Sequence, residues 1–292
     1  MKQRVGFIGV GHMGAPLVNC LMRAGFPVML HDLRADALAP YRGSAATIAS
    51  SLGELAQHCD IISFCLLNDG DVEAMLSGEQ GLYSLLEPRH LLMTHSTLST
   101  ALCIRIGEQV RALGAGFVDA PVSGGQKERD EGSLTVFAGG RDEDFARARP
   151  VLDAMGATVV HMGPNGAGAI GKIANNFMQL SNTIAAIEAV RLASAYGVSE
   201  EAMVRLSSVS SGNSWSLRNL FFFDDMMANH QLADNPEALF AYLAKDIGLA
   251  AQSAADKGVD LPLARSNATL APEIFSRRKQ LELAPKTETT AT

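Results

Sequence analysis

The chain has 292 residues, 47% of them hydrophobic, enough to bury a core in one large domain or two ordinary ones. Its 24 Lys and Arg against 31 Asp and Glu give a formal net charge of -7, and no basic block is long enough to track a phosphate backbone, which argues against a nucleic-acid partner. Cys20, Cys59, Cys65 and Cys103 fall in no CxxC or Cys/His ligand spacing. Together with the lack of a leader-like segment, this implies free thiols in a reducing cytoplasm and no metal centre. The most apolar helical stretch, around Ile184 to Leu192, is interrupted by Glu188 and Arg191, short of the ~20 apolar residues a bilayer span needs, so no membrane anchor is expected.

From Arg4 to His161 short apolar runs alternate with amphipathic helical patterns, the signature of a parallel sheet covered by helices. The runs lie at residues 5–8, 28–30, 61–66, 91–94, 116–119, 134–138 and 158–161. Met162 to Gly168 is a cluster of breakers, and beyond it a helical stretch rich in Ala, Ile, Asn and Met reaches Tyr196. The boundary is therefore set at this cluster, with domains 1–163 and 164–292. From Ser199 to Arg278 the periodicity is helical, with loops at 210–212 and 234–236 and no strand pattern. The polar stretch 282–292 lacks a packing stripe and is expected to fray.

Gly9-Val10-Gly11-His12-Met13-Gly14 is a GxGxxG directly after the first strand, opening a helix. In that context Gly9 allows the tight turn, Gly11 lets the backbone approach a pyrophosphate, and Gly14 lets the helix pack on the sheet. The helix N-terminus attracts the negative charge. His12 and Met13 contribute backbone there, and His12 reads as a helix-start residue rather than a catalytic one. Asp32 closes the second strand 18 positions past Gly14, placed to accept hydrogen bonds from the ribose hydroxyls of NAD. A turn or helix-cap role competes for Asp32. Arg34 keeps NADP open as the alternative cofactor, because a guanidinium pairs with a 2′-phosphate.

Three further segments carry a family resemblance: Asp119-Ala-Pro-Val-Ser-Gly-Gly125, Gly166-Ala-Gly-Ala-Ile-Gly-Lys-Ile-Ala-Asn-Asn176, and Lys245-Asp-Ile-Gly-Leu-Ala250. With the glycine fingerprint, the chain resembles the β-hydroxyacid dehydrogenase family over about residues 4 to 262. The resemblance implies an N-terminal Rossmann domain, a doubly wound parallel sheet, joined by a long helix to an all-α substrate and dimerisation domain. It implies oxidoreduction of a small carboxylate-bearing β-hydroxy acid with NAD or NADP, and a homo-oligomer.

The resemblance also assigns residues. Ser123, Gly124 and Gly125 would hold the substrate carboxylate, which is physically reasonable because two glycines present unshielded N–H groups beside a hydroxyl. A plain Pro-initiated Gly-Gly turn is the alternative. Lys172, Asn175 and Asn176 fall at i, i+3 and i+4 and share one helix face. Two adjacent Asn in a helix interior give up stability, so a use for their amides is expected. The family makes Lys172 the acid/base and gives Asn176, with Asn175, the positioning of substrate. Lys245 matches its second lysine near the cofactor, although Lys245-Asp246 also reads as a solvated pair. Asn68 and Thr97 follow strand ends where open α/β sheets bind ligands, and are carried over to the cofactor site.

The chain departs from the family in three places. Residues 126–131, Gln-Lys-Glu-Arg-Asp-Glu, form a charged stretch where relatives carry small residues, read here as a solvated loop that competes with a role for Lys127 or Arg129 toward a second acidic group. The segment 221–239 is longer and more acidic than expected, and the chain after Pro262 lacks the usual closing pattern. Trp215, Phe221, Phe222 and Phe223 are expected to pack the helical core, with a role in shaping a substrate pocket as the alternative. Decarboxylating sugar-acid relatives need a longer helical region, and imine reductases commonly lack the lysine. An NADP-dependent semialdehyde reductase and a dinucleotide-binding sensor without turnover are the competing readings.

Overall fold

The structure, a computed structural model, describes residues 2–228 and 235–283. In chain order the elements are β1 Val5–Ile8, α1 Gly14–Arg23, β2 Val28–His31, α2 Ala35–Leu38, β3 Thr47–Ile48, α3 Leu52–His58, β4 Ile61–Phe64 and α4 Asp69–Leu76. They continue with β5 Leu91–Thr94, α5 Thr100–Ala112, β6 Gly116–Asp119, β7 Val122–Ser123, α6 Gln126–Glu131, β8 Leu134–Gly139, α7 Asp142–Leu152 and β9 Gly156–Gly163. The rest is helical: α8 Ala167–Ala195, α9 Glu200–Ser207, α10 Trp215–Arg218, α11 Leu220–Ala228, α12 Pro236–Asp256 and α13 Pro262–Leu283. The chain divides into two compact units, Met1–Lys172 and Ile173–Thr292, and the division falls inside α8.

In the first unit one sheet runs in the order β3-β2-β1-β4-β5-β6-β8-β7, with β9 pairing on β8. Strands β1 to β6 pair in parallel. The order turns back at β1, which sits between β2 and β4; such a switch point opens a crevice at the strand C-termini. The sheet departs from the all-parallel expectation at β8, which runs antiparallel to β6 and β7. Two buried clusters cover its faces, one around Phe7, Leu17, Leu21 and Val136, the other around Leu55, Ile62, Phe64 and Ile106. All seven strand-like runs are strands. The two additional strands, β3 and β7, have two residues each, too few to show an alternation.

The stretch 126–131, expected as a loop, is helix α6. Gly125 precedes it, and the Glu128 carboxylate accepts the Gly125 N–H at 2.8 Å. This is the acidic half of a capping box; glycine has no side chain to return the bond. Cys20, Cys59 and Cys103 are buried free thiols and Cys65 is half-buried. Burial pushes the Cys59 thiol up to about 11 and raises those of Cys20 and Cys103.

The second unit packs Leu180, Ile187, Val190, Leu220, Ile247 and Phe275 into one core. Of the aromatic set assigned to that core, Phe223 lies in it, with its ring 5.3 Å from Phe275. Trp215 and Phe221 are instead exposed, at 49% and 46%. Part of the acidic segment also has a structural use: Asp224 is buried and accepts from Arg278 Nε at 2.9 Å. Residues 229–234, which include Asp234 of the expected 234–236 loop, and 284–292, most of the expected frayed tail, lie outside the described residues, and Pro236 of that loop begins α12. Among the described residues no helix is long and apolar enough to cross a membrane. Nor do three His, Cys, Asp or Glu gather there to hold a metal.

Candidate active site

The glycine fingerprint follows β1 at the switch point. Gly9 has φ +86°, and a Cβ on it would lie 2.4 Å from the Cys65 carbonyl oxygen. A Cβ on Gly14 would lie 2.0 Å from the Gly9 carbonyl oxygen, so the helix start presses onto the turn. Gly11 differs. Its missing Cβ would meet one neighbour, Arg34 Nη2 at 3.6 Å, so the backbone there faces open space. The N-cap of α1, Met13, makes no side-chain capping bond, and the first turn carries no acid. An open glycine backbone before an uncapped helix N-terminus fits a dinucleotide's pyrophosphate.

Asp32 follows β2 with its side chain 9% exposed. Its carboxylate accepts the Val10 N–H at 2.7 Å and the Arg34 N–H at 2.9 Å, which ties it to the glycine turn. The turn role is therefore filled, and it leaves about half of the carboxylate's four or so acceptor positions open. Arg34 lies 3.8 Å from Asp32 with 57% of its side chain exposed. His12 is held below the usual histidine range by partial burial and then by the Arg129 guanidinium. Asn68 caps α4, accepting the Asp71 N–H at 2.9 Å and donating to the Asp71 carboxylate at 3.0 Å. Thr97 is half-buried after β5, next to Ser96, whose hydroxyl accepts the Leu66 N–H at 2.7 Å.

Ser123 ends β7, half-buried. A Cβ on Gly124 would lie 2.6 Å from Leu134 Cδ2 and 2.9 Å from Glu128 Cβ, so the chain's own side chains fill that space. With the Gly125 N–H held by Glu128, the expected carboxylate cradle carries an internal carboxylate.

Asp119, at the end of β6, is fully buried. Its two oxygens accept the N–H groups of Gly166 and Ala169, each at 2.8 Å, and so fasten the first turn of α8 to the sheet. Burial pushes this carboxyl up to about 6 despite those bonds. Thr94 pairs with Asp119 across the sheet, and the next residue, His95, is buried and stacked on Phe7. Burial pushes its imidazole down to about 4, so it is neutral and Nδ1 donates to the Ala120 carbonyl at 3.0 Å. Lys172, one turn beyond Ala169 on α8, is 8% exposed.

Further along the same face of α8, Asn175 and Asn176 are half-buried. Asn175 Nδ2 donates to Asn176 Oδ1 at 3.2 Å, and Asn176 Nδ2 donates to Asp246 Oδ2 at 2.5 Å. Lys245 Nζ stands 3.7 Å from Asp246 Oδ1. Asp246 thus links the asparagine of one segment to the lysine of the other, a role not assigned to it from sequence.

A doubly wound sheet with an open glycine turn at its switch point and a carboxylate after β2 defines a dinucleotide-binding protein. Residues 4–163 match the family described as the NAD binding domain of 6-phosphogluconate dehydrogenase. Residues 166–282 match the NAD-binding region of NADP-dependent 3-hydroxyisobutyrate dehydrogenase. The chain is 33% identical to mitochondrial 3-hydroxyisobutyrate dehydrogenase of Mus musculus over 87% of its own length and 76% of the relative's. It is 32% identical to an NAD-dependent L-serine dehydrogenase of Pseudomonas aeruginosa over 90% and 89%. Among solved structures, Mycobacterium tuberculosis 3-hydroxyisobutyrate dehydrogenase with L-serine aligns with a TM-score of 0.79 at 26% identity, covering 94% of each chain. The chain belongs to the β-hydroxyacid dehydrogenase family, as an NAD(P)-dependent oxidoreductase.

Proposed function

We propose that the enzyme interconverts a short β-hydroxy acid and its semialdehyde or keto acid with NAD, Lys172 serving as the acid/base. The observation that carries this reading is a lysine only 8% exposed on the helix whose first turn Asp119 fastens to the sheet. For oxidation Lys172 Nζ takes the hydroxyl proton; for reduction its ammonium polarises the carbonyl and returns the proton. The nicotinamide, when bound, accepts or supplies the hydride at carbon. Asn176, oriented by Asp246, positions the substrate with Asn175, while Ser123, Gly124 and Gly125 receive its carboxylate once Glu128 yields the Gly125 amide. The fingerprint, Asp32 and the Asn68 and Thr97 loops hold the cofactor, and the family resemblance assigns Lys245 to it as well. We assign the dinucleotide fold to residues 1–163, whose Ser123 to Gly125 turn also meets the substrate, and the remaining substrate contacts and self-association to the helical domain 164–292.

The names of the relatives make 3-hydroxyisobutyrate and L-serine the first substrates to try. An NADP-dependent semialdehyde reductase is the second reading, favoured by the exposed Arg34 guanidinium beside Gly11. Four free thiols support a reducing cytoplasm. Exposed Leu192, Tyr196, Leu206 and Val209 support burial against a second copy.

The test follows reduced-nicotinamide absorbance with a panel of short β-hydroxy acids and either cofactor, in the native chain and Lys172→Ala. We expect turnover with NAD and a loss of at least about 100-fold in kcat in the variant. Cofactor binding with no turnover on any acid would instead support a dinucleotide sensor.

A further inference from the structure

Strands β5 and β6 run side by side up to the pair Thr94 and Asp119, and the Ala120 N–H adds one more bond, to the Thr94 carbonyl at 2.8 Å. In a parallel ladder carried one step further, the Ala120 carbonyl would accept the Ser96 N–H. That N–H turns instead to Thr94 Oγ1 at 3.3 Å, and the Ala120 carbonyl accepts from a side chain, His95 Nδ1, at 3.0 Å. Beyond this point the chain leaves β5 for β8. The Pro121 carbonyl accepts the Phe137 N–H at 3.0 Å, and Val122 and Ser123 pair with Val136 and Thr135.

His95 makes this bond at a cost. The residue is 3% exposed, with its ring stacked on Phe7 at 5.9 Å between centroids. Facing a carbonyl, Nδ1 carries the proton of the neutral ring, which leaves Nε2 an acceptor, buried and without a hydrogen-bond partner. An unmet buried acceptor lowers stability. An apolar ring would fill the same space without that cost, so the use of the imidazole lies in its Nδ1–H.

The two ends of the bond belong to different parts of the site. The His95 N–H donates to the Phe64 carbonyl at 2.9 Å, and the Ser96 hydroxyl accepts the Leu66 N–H at 2.7 Å, so this end is fixed to β4 directly before Thr97. The other end holds Ala120, three residues before Ser123. One imidazole thus joins the loop assigned to the cofactor and the turn assigned to the substrate carboxylate. Hydride transfer depends on that spacing, because reacting atoms must approach to about 3–3.5 Å and a misplacement of about 1 Å costs about 100-fold in rate.

We propose that His95 is a positioning residue for hydride transfer, its Nδ1–H holding the substrate turn at residues 120–125 in register with the cofactor loop at Ser96 and Thr97. Buried as it is, it acts through those two segments rather than on the reacting atoms. This role rests on the hydride transfer proposed above and adds what sets the distance between its partners.

The test compares kcat, the KM of the hydroxy acid, the Kd of NAD and the melting temperature in the native chain, His95→Phe and His95→Asn. Phe keeps a flat ring against Phe7 and loses the donor, whereas Asn loses the ring and carries an amide N–H where Nδ1 stands. We expect kcat to fall roughly 10- to 100-fold in His95→Phe, by more than KM rises, and less than about threefold in His95→Asn. The melting temperatures should rank the other way, with His95→Asn the lower. The Kd of NAD should stay within about twofold in both. Should His95→Phe fail to fold, His95→Gln takes its place with the same loss of kcat expected, since its amide lies at the Nε2 position instead. An equal loss of kcat with and without the donor, a kcat that follows the melting temperature, or a change confined to the Kd of NAD would overturn the role. Native turnover unchanged in His95→Phe defeats the role of His95 alone, whereas a native chain silent on every acid defeats the hydride transfer itself.

Discussion

Helices α1 and α8 start in opposite ways, although both begin next to strands of the same sheet. At α8 a fully buried carboxylate, Asp119, takes the N–H groups of Gly166 and Ala169. At α1 no side chain caps the helix, no acid stands in the first turn, and a buried Arg129 lies alongside. Helix α6 falls between, its leading amide held by Glu128. A helix start sealed by the chain's own anion is a structural joint, whereas one left open needs an anion from elsewhere. The difference separates the residues that hold Lys172 in place from those proposed to hold the cofactor.

Removing the seal should have the largest effect. Asp119→Ala leaves two buried amides without acceptors, and unfolding by urea should show a loss of about 2–5 kcal/mol. The pH dependence has a definite sign. With its folded pKa raised from the ordinary carboxyl value of 3.8 to about 6, Asp119 contributes stability that is present below about pH 4 and lost as pH rises through 6. The deficit of Asp119→Asn should therefore narrow from pH 4 to pH 6. Only the difference between native and variant isolates this, because His95 titrates in the same window with the opposite slope: its lowered pKa makes stability fall as pH drops from 6.5 toward 4.

Filling the open start should change binding but not folding. In Gly11→Ala the added methyl meets only Arg34 Nη2 at 3.6 Å, so the melting temperature should stay within about 1 °C while NAD affinity falls roughly tenfold or more. A comparable fall in melting temperature would mean that Gly11 serves the fold, and the contrast with α8 would collapse. The smallest effect is expected at α6. Glu128→Ala should cost about 1 kcal/mol as a lost cap and, by freeing the Gly125 amide, lower the KM for the hydroxy acid a few-fold. A raised KM would show that Glu128 itself assists substrate binding.

The open start was legible in sequence because all its parts are local: a strand, three glycines within six residues, and Asp32 at the next strand end. The sealed start was not. Asp119 and its partners Gly166 and Ala169 are 47 and 50 residues apart, and no periodicity reports a bond across that span. Arg129 was read as loop because charge density in 126–131 masks a six-residue helix whose cap is a glycine. Asp246 was seen only as the neighbour of Lys245, since its link to Asn176 joins two distant helices. The domain boundary at 163 follows a change of pattern, whereas the compact division inside α8 leaves no breaker for a reader of sequence to find.

The cysteines show one more consequence of how tightly the sheet is covered. Only a thiolate attacks an alkylating agent or an oxidised partner, and burial keeps Cys20, Cys59 and Cys103 protonated at neutral pH. While the sheet stays shut these sulfurs are chemically silent. Their reaction with a thiol reagent therefore serves as a clock, timing how often the two faces of the sheet come open.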